Sequence, residues 1–326
     1  MSQLTATAKA VQLGTRVSVV VPSYNHAQFV AMTLRSIMKQ TFAPAELVVI
    51  DDGSTDDSPG LIEQILKECP FPCELIVRSN RGLCATLNEG LARTKGDYFA
   101  YLGSDDVWLP NFLKDRVRLL QSRTSAILAY GHAYFVDEQN LIVDCTAEWA
   151  NYVDGDVRAM LMNTIAPMSP TVLYRRAGLA KESWNEEAKL EDYDLYLRLS
   201  TIGEFAFDPQ VLSAWRRHAK NTSLDQMFML DEQLAAQRAV AATLGLSNQE
   251  LAKLQTRTRF SRAEDFIRLG DKRTAMRLMC ANLSGARSPR SLARMLVRLG
   301  LPMSVMGTRN QAKRRQFSEK FGSIEL

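Results

Sequence analysis

The sequence predicts an α/β fold, with a doubly wound parallel sheet in the first two thirds and a mostly helical region after it. Short β-branched apolar runs alternate with segments of helical periodicity between residues 16 and 102, which is typical of such sheets. Polar clusters follow several of the apolar runs, and a parallel sheet binds its ligand at that edge. From about residue 224 onward, helical periodicity dominates.

The apolar runs assign the elements in order. The segment RVSVVV at 16–21 predicts a buried strand, because it is rich in β-branched residues and stops at Pro22. Further strands are predicted at 47–50, 73–77 and 98–102, with helices at 28–40, 59–69 and 83–92 between them. The middle third predicts a hairpin of 126–136 with 141–144, strands at 170–174 and 205–214, and a helix at 190–202. The last predicted helices are 224–244, 248–269, 271–283 and a basic amphipathic segment at 290–299.

Length and composition fit a folded protein with more than one part. The chain has 326 residues, of which 46% are hydrophobic and 23% charged. This length suits one large domain with an appendage, or two domains. We divide the chain into an N-terminal extension (1–15), an α/β domain (16–223) and a helical C-terminal region with a basic tail (224–326).

Charge and cysteine usage suggest the setting. The net charge is +4, yet the segment from Arg287 to the end holds nine Lys or Arg against two Glu. This tail is either a contact surface for an anionic partner, such as a membrane, or a solvated basic helix. The five cysteines form no CxxC pair, and no long apolar stretch resembles a signal or a membrane span. We therefore expect a cytoplasmic protein, with peripheral contact to the inner face of the plasma membrane as an option.

Two pairs of carboxylates end two predicted strands. Asp51 and Asp52 follow the second strand, and Asp105 and Asp106 follow the fourth. Adjacent carboxylates repel each other unless a positive charge lies between them, and a divalent metal bound to a diphosphate would provide it. Oxygen ligands of this kind suit magnesium or manganese. For the first pair, the alternative is helix capping by the segment that runs to Ser58.

Several separated motifs resemble family 2 glycosyltransferases of the bacterial surface-polysaccharide type, which have the GT-A fold. The motifs appear in the order expected for that family and span residues 16–223. They are VSVVVPSYNHAQFVAMTLRSIMKQTFAPAELVVIDDGSTDDS, Asn80-Arg81-Gly82, Asn88-Glu89-Gly90, KGDYFAYLGSDDVWLP, LEDYDLYLRL and AWRRHAKNTS.

The resemblance implies a nucleotide-sugar site and a metal site. Asp105 and Asp106 stand at the family's DxD motif, where Asp105 would approach the ribose or sugar and Asp106 would bind the metal. Gly103 stands where the family often has another Asp, so one carboxylate near the metal is missing. Residues that would line the nucleotide pocket are Pro22, Tyr24, Asp51, Asp52, Arg81 and Gly82.

The resemblance also implies a catalytic base. Glu191 and Asp192 match the family's ED motif, in which the Asp takes the proton of the acceptor hydroxyl. From the residues alone, the preferred explanation of both is that they are first-turn acids that favour the helix. His218 would approach the metal or the diphosphate. We expect structural roles for His26 and His132, and core packing for Trp108 and Trp184.

These roles together predict an inverting glycosyltransferase. It would move a sugar from a nucleotide-diphosphate donor, UDP-linked by expectation, to a hydroxyl of a glycan or lipid-linked acceptor. Manganese or magnesium would assist, and polysaccharide or lipopolysaccharide synthesis would be the pathway. A nucleotidyltransferase is disfavoured, because Pro-Ser-Tyr-Asn replaces the Gly-rich loop after the first strand. A non-catalytic binding protein of the same fold remains open at this point, supported by Gly103.

Overall fold

The computed structural model describes residues 14–219, 221 and 225–325, apart from the side chains of 309 and 310. Most of the predicted N-terminal extension and the predicted domain boundary at 223 and 224 lie outside these residues.

Four parallel strands form the first half of the sheet. Their order is β3-β2-β1-β4, and each pairs in parallel with its neighbour. The strands are β1 (Val17–Ser23), β2 (Glu46–Asp51), β3 (Cys73–Val77) and β4 (Tyr98–Tyr101). The helices between them are α1 (Val30–Met38), α2 (Ser58–Leu66) and α3 (Leu83–Arg93). The alternating α/β prediction is therefore confirmed for this half.

The second half makes the sheet mixed. It adds β5 (Val107–Trp108), β6 (Ala126–Val136), β7 (Ile142–Cys145), β8 (Leu173–Arg175) and β9 (Glu204–Arg216). Strand β8 is antiparallel to both β4 and β6, whereas β9 is parallel to β6 and antiparallel to β5. The predicted hairpin is present as β6 and β7. The helices here are α4 (Phe112–Ser122), α5 (Arg158–Met162), α6 (Arg176–Leu179) and α7 (Glu191–Leu199).

The C-terminal region is helical, as predicted, and includes one helix that the sequence pattern missed. Its helices are α8 (Gln226–Ala241), α9 (Asn248–Leu269), α10 (Lys272–Ala281), α11 (Pro289–Gly300) and α12 (Met303–Phe321). Helix α9 begins at a capping box of Ser247 with Glu250 and ends at Gly270, whose φ of 90° is left-handed. Among the described residues, no helix combines the length and apolar character that crossing a bilayer requires.

The last helix returns to the sheet. Phe317 of α12 and Ile324 beyond it pack with Val136, Ile142 and Ala214 in one apolar cluster. The backbone adds two hydrogen bonds, from Ile142 N to the carbonyl oxygen of Gly322 and from Ile324 N to that of Asn140, each 3.0 Å long. These contacts hold the last helix against the α/β part.

The core lies on both faces of the sheet, which explains the three consecutive valines of β1, residues 19–21. Val20 packs in one cluster, while Val19 and Val21 pack in the other. Helix α3 approaches closely at Gly90, where a Cβ would lie 2.6 Å from Cγ1 of Val20. A strand buried on both faces needs apolar residues at every position rather than at alternate ones.

One buried ion pair ties α4 to β9. Arg116 is fully buried, and its guanidinium lies 2.6 Å from the Asp208 carboxylate. Its Nε also donates to the carbonyl oxygen of Thr171 at 3.1 Å. Gly131 makes room, because a Cβ there would lie 2.3 Å from Nη2 of Arg116.

We expect Asp208→Ala to lower the free energy of unfolding by about 3–5 kcal/mol, because it leaves the Arg116 charge buried without its partner. Urea unfolding followed by circular dichroism measures this. Asp156→Ala is the matched control, since it breaks the exposed pair with Arg158 and should change stability little. Equal losses in both variants would contradict a special role of the buried pair.

Candidate functional site

A cleft of about 1910 Å³ lies at the carboxyl ends of β1, β2 and β4. This is the edge at which an open α/β sheet binds its ligands. One side of the cleft consists of the loops that follow these strands, and the other side comes from β9, the β6–β7 hairpin and the C-terminal helices.

Asp52 organises the loop in front of α3. Its Oδ1 accepts a hydrogen bond from the backbone N of Arg81 at 2.9 Å, and its Oδ2 accepts from that of Gly82 at 2.8 Å. The Arg78 guanidinium also pairs with Oδ1 and bonds Glu89 at 3.1 Å. Gly82 has a φ of 87°, which favours glycine. Arg78 was missed by the sequence analysis, although its position just before Asn80-Arg81-Gly82 was a signal.

The other predicted nucleotide-pocket residues divide into lining and supporting positions. Pro22 and Tyr24 line the cleft, and Tyr24 is 48% exposed, which leaves its ring open to stacking. Asp51, by contrast, is fully buried and does not line the cleft. Its carboxylate accepts from the backbone N and the hydroxyl of Ser54 at 2.8 and 2.7 Å, and so holds the turn that follows β2.

Asp105 lies together with two histidines. The Nε2 of His218 is 2.9 Å from Oδ2 of Asp105, and the Nδ1 of His26 is 3.8 Å from its Oδ1. Ligand-capable atoms of these three residues lie within 4.8 Å of one another, which a single metal ion can bridge. The sequence analysis assigned His26 a structural role, although it directly follows the polar turn after β1.

Asp106 has a different environment from Asp105. It is 3% exposed, and its Oδ1 accepts a hydrogen bond from the backbone N of Arg216 at 2.9 Å. Burial and, next, repulsion from Asp105 raise the pKa of Asp106 well above its usual range, whereas Arg216 opposes the shift. The described residues thus bring Asp105, rather than the expected metal ligand Asp106, beside His218.

Gly103 leaves space for this arrangement. A Cβ at Gly103 would lie 2.9 Å from Oδ1 of Asp105 and 3.3 Å from Oδ2 of Asp106. A side chain at this position would therefore displace Asp105. The imidazoles of His26 and His218 supply possible metal-ligating nitrogens beside Asp105, close to the side chain that a residue other than glycine would place at position 103.

Glu191 and Asp192 line the same cleft in the first turn of α7. Burial raises the pKa of Asp192 to about 6. Burial and, next, repulsion from Asp192 raise the pKa of Glu191 to about 8. Near neutral pH the pair therefore holds about one proton and one negative charge, and the ionised form is the one that a general base requires.

The far wall of the cleft is basic and aromatic. Arg217, Arg268 and Arg314 all line it. Burial lowers the pKa of Arg217; Asp144 opposes this, and repulsion from Arg314 and Arg268 adds to the lowering. Trp149 also lines this wall and is 50% exposed.

The remaining predicted residues lie away from the cleft. Trp108 is fully buried, with its Nε1 donating to the carbonyl oxygen of Pro170 at 2.8 Å, and Trp184 is 2% exposed. Core packing is therefore confirmed for both. His132 is buried beside Thr146, with 3.0 Å between its Nδ1 and the hydroxyl oxygen.

Sequence comparison links this architecture to sugar transfer. Residues 18–181, half of the chain, match the profile described as "Glycosyl transferase family 2". An uncharacterized glycosyltransferase of Nostoc sp. is 26% identical over 231 residues, which cover 69% of this chain and 71% of that protein. The chondroitin synthase of Escherichia coli is 26% identical over 223 residues, covering 68% of this chain and 31% of that enzyme.

Two solved structures share the fold. S. aureus TarS 1-349 in complex with UDP-GlcNAc superposes with a TM-score of 0.60 at 17% identity, over 96% of this chain and 93% of that one. The mannosyltransferase PcManGT from Pyrobaculum calidifontis, in complex with GDP-Man and Mn²⁺, gives a TM-score of 0.59 at 18% identity, over 94% and 86% of the two chains.

At these identities the structural likeness concerns the fold alone, which is GT-A. The profile match and the glycosyltransferase relatives concern the activity, so the chain is an enzyme and not a binding protein of the same fold. The chain belongs to glycosyl transferase family 2.

Proposed function

We propose that this enzyme transfers a sugar from a nucleoside diphosphate sugar to a hydroxyl of a glycan or lipid-linked acceptor, with inversion at the anomeric carbon. One observation carries the proposal. A single cleft contains the loop ordered by Asp52, a cluster able to bind a cation at Asp105, and the carboxylate pair of Glu191 and Asp192.

The donor atoms around Asp105 fit a divalent cation. One carboxylate and the imidazoles of His26 and His218 form a mixed oxygen and nitrogen set. Magnesium prefers oxygen ligands, whereas manganese also accepts imidazole, so this set favours manganese. A divalent cation bound there would stabilise the negative charge of the departing diphosphate.

Asp192 and Glu191 have different roles in the proposed reaction. Asp192, ionised at neutral pH, takes the proton from the acceptor hydroxyl as its oxygen attacks the anomeric carbon. The bond from that carbon to the diphosphate oxygen breaks, and the nucleoside diphosphate leaves on the opposite face. Attack from one face and departure from the other invert the anomeric configuration. Glu191, being neutral, adds no second charge beside the base.

We also propose a uracil base for the donor, a glycan acceptor and a cytoplasmic location. The UDP-GlcNAc complex of TarS supports UDP, and the GDP-Man complex of the mannosyltransferase makes GDP the rival. The match to a chondroitin synthase supports a polysaccharide product. Surface-glycan or lipopolysaccharide synthesis in the cytoplasm is the setting that we propose. Peripheral contact with an anionic membrane is supported by Leu296 and Val297 of α11, which are 53% and 63% exposed.

The first test is donor hydrolysis over a panel of UDP-, GDP-, dTDP- and CMP-sugars, with manganese, magnesium or EDTA. We expect one donor to release its nucleoside diphosphate with manganese and not with EDTA. Asp192→Asn should slow transfer to an acceptor by about 100- to 10,000-fold, since it removes the general base. Failure of every nucleotide sugar to bind would refute the proposal.

The metal assignment predicts different behaviour for the two adjacent aspartates. Asp105→Ala should weaken manganese binding at least about 100-fold. Loss of a residue that only supports a metal ligand lowers metal affinity by up to about 100-fold, and Asp105 would be a direct ligand. Asp106→Asn keeps an oxygen for the Arg216 N–H and should keep manganese affinity near wild type. Isothermal titration with manganese measures both. The opposite ranking would return the ligand role to Asp106.

The raised pKa values predict a bell-shaped pH profile of kcat/KM. Activity should fall as the pH drops through about 6, where Asp192 gains a proton, and fall again above about 8, where Glu191 loses one. Saturating manganese across the range keeps metal loading from shaping the curve. Glu191→Gln should remove only the alkaline limb. An unchanged alkaline limb in this variant would show that Glu191 does not titrate in catalysis.

A further inference from the structure

The two sides of the cleft differ in charge. Six carboxylates line the side formed by the strand-end loops, α7 and the segment that precedes α7, with Arg81 and Lys189 as the cations there. The opposite side, which we call the basic wall, includes the cleft-lining residues of the β6–β7 hairpin with Trp149 just after it, those that follow β9 and those of the C-terminal helices. It carries seven Arg or Lys side chains against three carboxylates, Asp144, Glu264 and Asp265.

Part of this positive charge is neutralised within the wall. Arg268 lies 2.9 Å from Glu264, which also pairs with Arg298. Arg262 lies 2.9 Å from Asp265, and Lys313 lies 3.0 Å from Asp144. The charges of Arg217, Arg294 and Arg314 remain, since no carboxylate of the described part of the chain forms an ion pair with them.

Arg217 is held in place by aromatic side chains. Its guanidinium carbon lies 4.0 Å from the ring centroid of Phe135, which favours a fixed orientation. Phe135 in turn contacts Trp215 edge-on at 5.4 Å and Trp149 at 6.1 Å between centroids. The wall therefore combines a positioned cation with the half-exposed indole of Trp149, and such rings stack on sugar faces.

The wall and the predicted nucleotide pocket lie on different elements. That pocket follows β1 and β2, whereas Phe135 lies on β6 and Arg217 follows β9. The two regions adjoin at His218, whose ring centroid lies 5.4 Å from that of His26 in the segment after β1. Asp192 and Asp105 line the cleft that the two regions share.

We propose that the basic wall is an acceptor subsite for a glycan that carries phosphate or carboxylate groups. Arg217 and Arg314 bind the anionic group, and Trp149 packs against a neighbouring sugar ring. Guanidinium groups suit both oxyanions, because their planar donors match two oxygens at once. The positive charge also offsets the repulsion that an anionic acceptor meets from the carboxylate side. This inference rests on the proposed transfer reaction.

The test compares synthetic oligomers of equal length: phosphodiester-linked glycerol, a uronic acid oligosaccharide and a neutral oligosaccharide. Binding to the full chain is measured by titration with UDP and manganese present, at low and high salt. Wild type should prefer one of the two anionic oligomers, and its binding should weaken as salt rises. Arg217→Gln/Arg314→Gln should weaken that binding about tenfold or more, since each arginine loses a charge-assisted hydrogen bond.

Arg315→Gln is the matched control. Arg315 follows Arg314 on α12, is 82% exposed at its side chain, pairs with Glu319 and does not line the cleft. This variant should bind every oligomer as wild type does. The single variant Arg314→Gln should show the same direction of effect, and Arg217→Lys/Arg314→Lys should recover part of the binding if charge is what matters.

Three results would overturn the proposal. Equal binding of neutral and anionic oligomers would show that the wall does not read charge. Weakened UDP binding in the double variant would show that Arg217 and Arg314 bind the donor. Binding only to phosphatidylglycerol vesicles, lost in the double variant, would make the wall a membrane contact. Donor binding and turnover separate the two proposals. Failure of every nucleotide sugar to bind, with intact anion binding, refutes the transfer reaction, whereas donor turnover without anion preference refutes only the subsite.

Discussion

The hydrogen bond from the backbone N of Arg216 to the buried carboxylate of Asp106 joins the two halves of the site. It attaches the end of β9 to the loop after β4. The Arg216 side chain strengthens this link, because its Nε and Nη1 donate to the carbonyl oxygens of Asp105 and Asp137 at 2.8 and 2.7 Å. His218, two residues further on, consequently lies against Asp105. The position of the histidine cluster thus depends on a contact that is itself outside the cluster.

This link also explains why adjacent aspartates differ. Asp106 is 3% exposed and accepts the hydrogen bond from the backbone N of Arg216, whereas Asp105 lies beside His26 and His218. Gly103 permits that orientation, since any side chain there would crowd the Asp105 carboxylate. Glycine at position 103 therefore leaves Asp105 free to lie beside the imidazoles of His26 and His218.

The C-terminal helices complete the cleft rather than form a separate body. Phe317 and Ile324 pack into the apolar cluster of β6, β7 and β9, and this anchors α12 beside the site. The same packing carries Lys313 and Arg314 to the cleft wall. The charge of the tail, which in the sequence suggests a membrane or a solvated helix, is in the fold partly directed at the cleft.

The sequence by itself determined the first half of the sheet and the family. Strands buried on both faces are apolar at nearly every position, and β1, β2 and β4 show this locally, as do the motifs that follow them. Helix α12 was not predicted, because few apolar residues of this charged segment, such as Phe317, pack against the sheet. The grouping of His26, Asp105 and His218 was decided only by the tertiary structure, since these residues lie far apart in the chain. Neighbouring aspartates look alike in sequence, and only the partner supplied by a distant strand distinguishes the hydrogen-bonded, buried Asp106 from Asp105 beside the histidines.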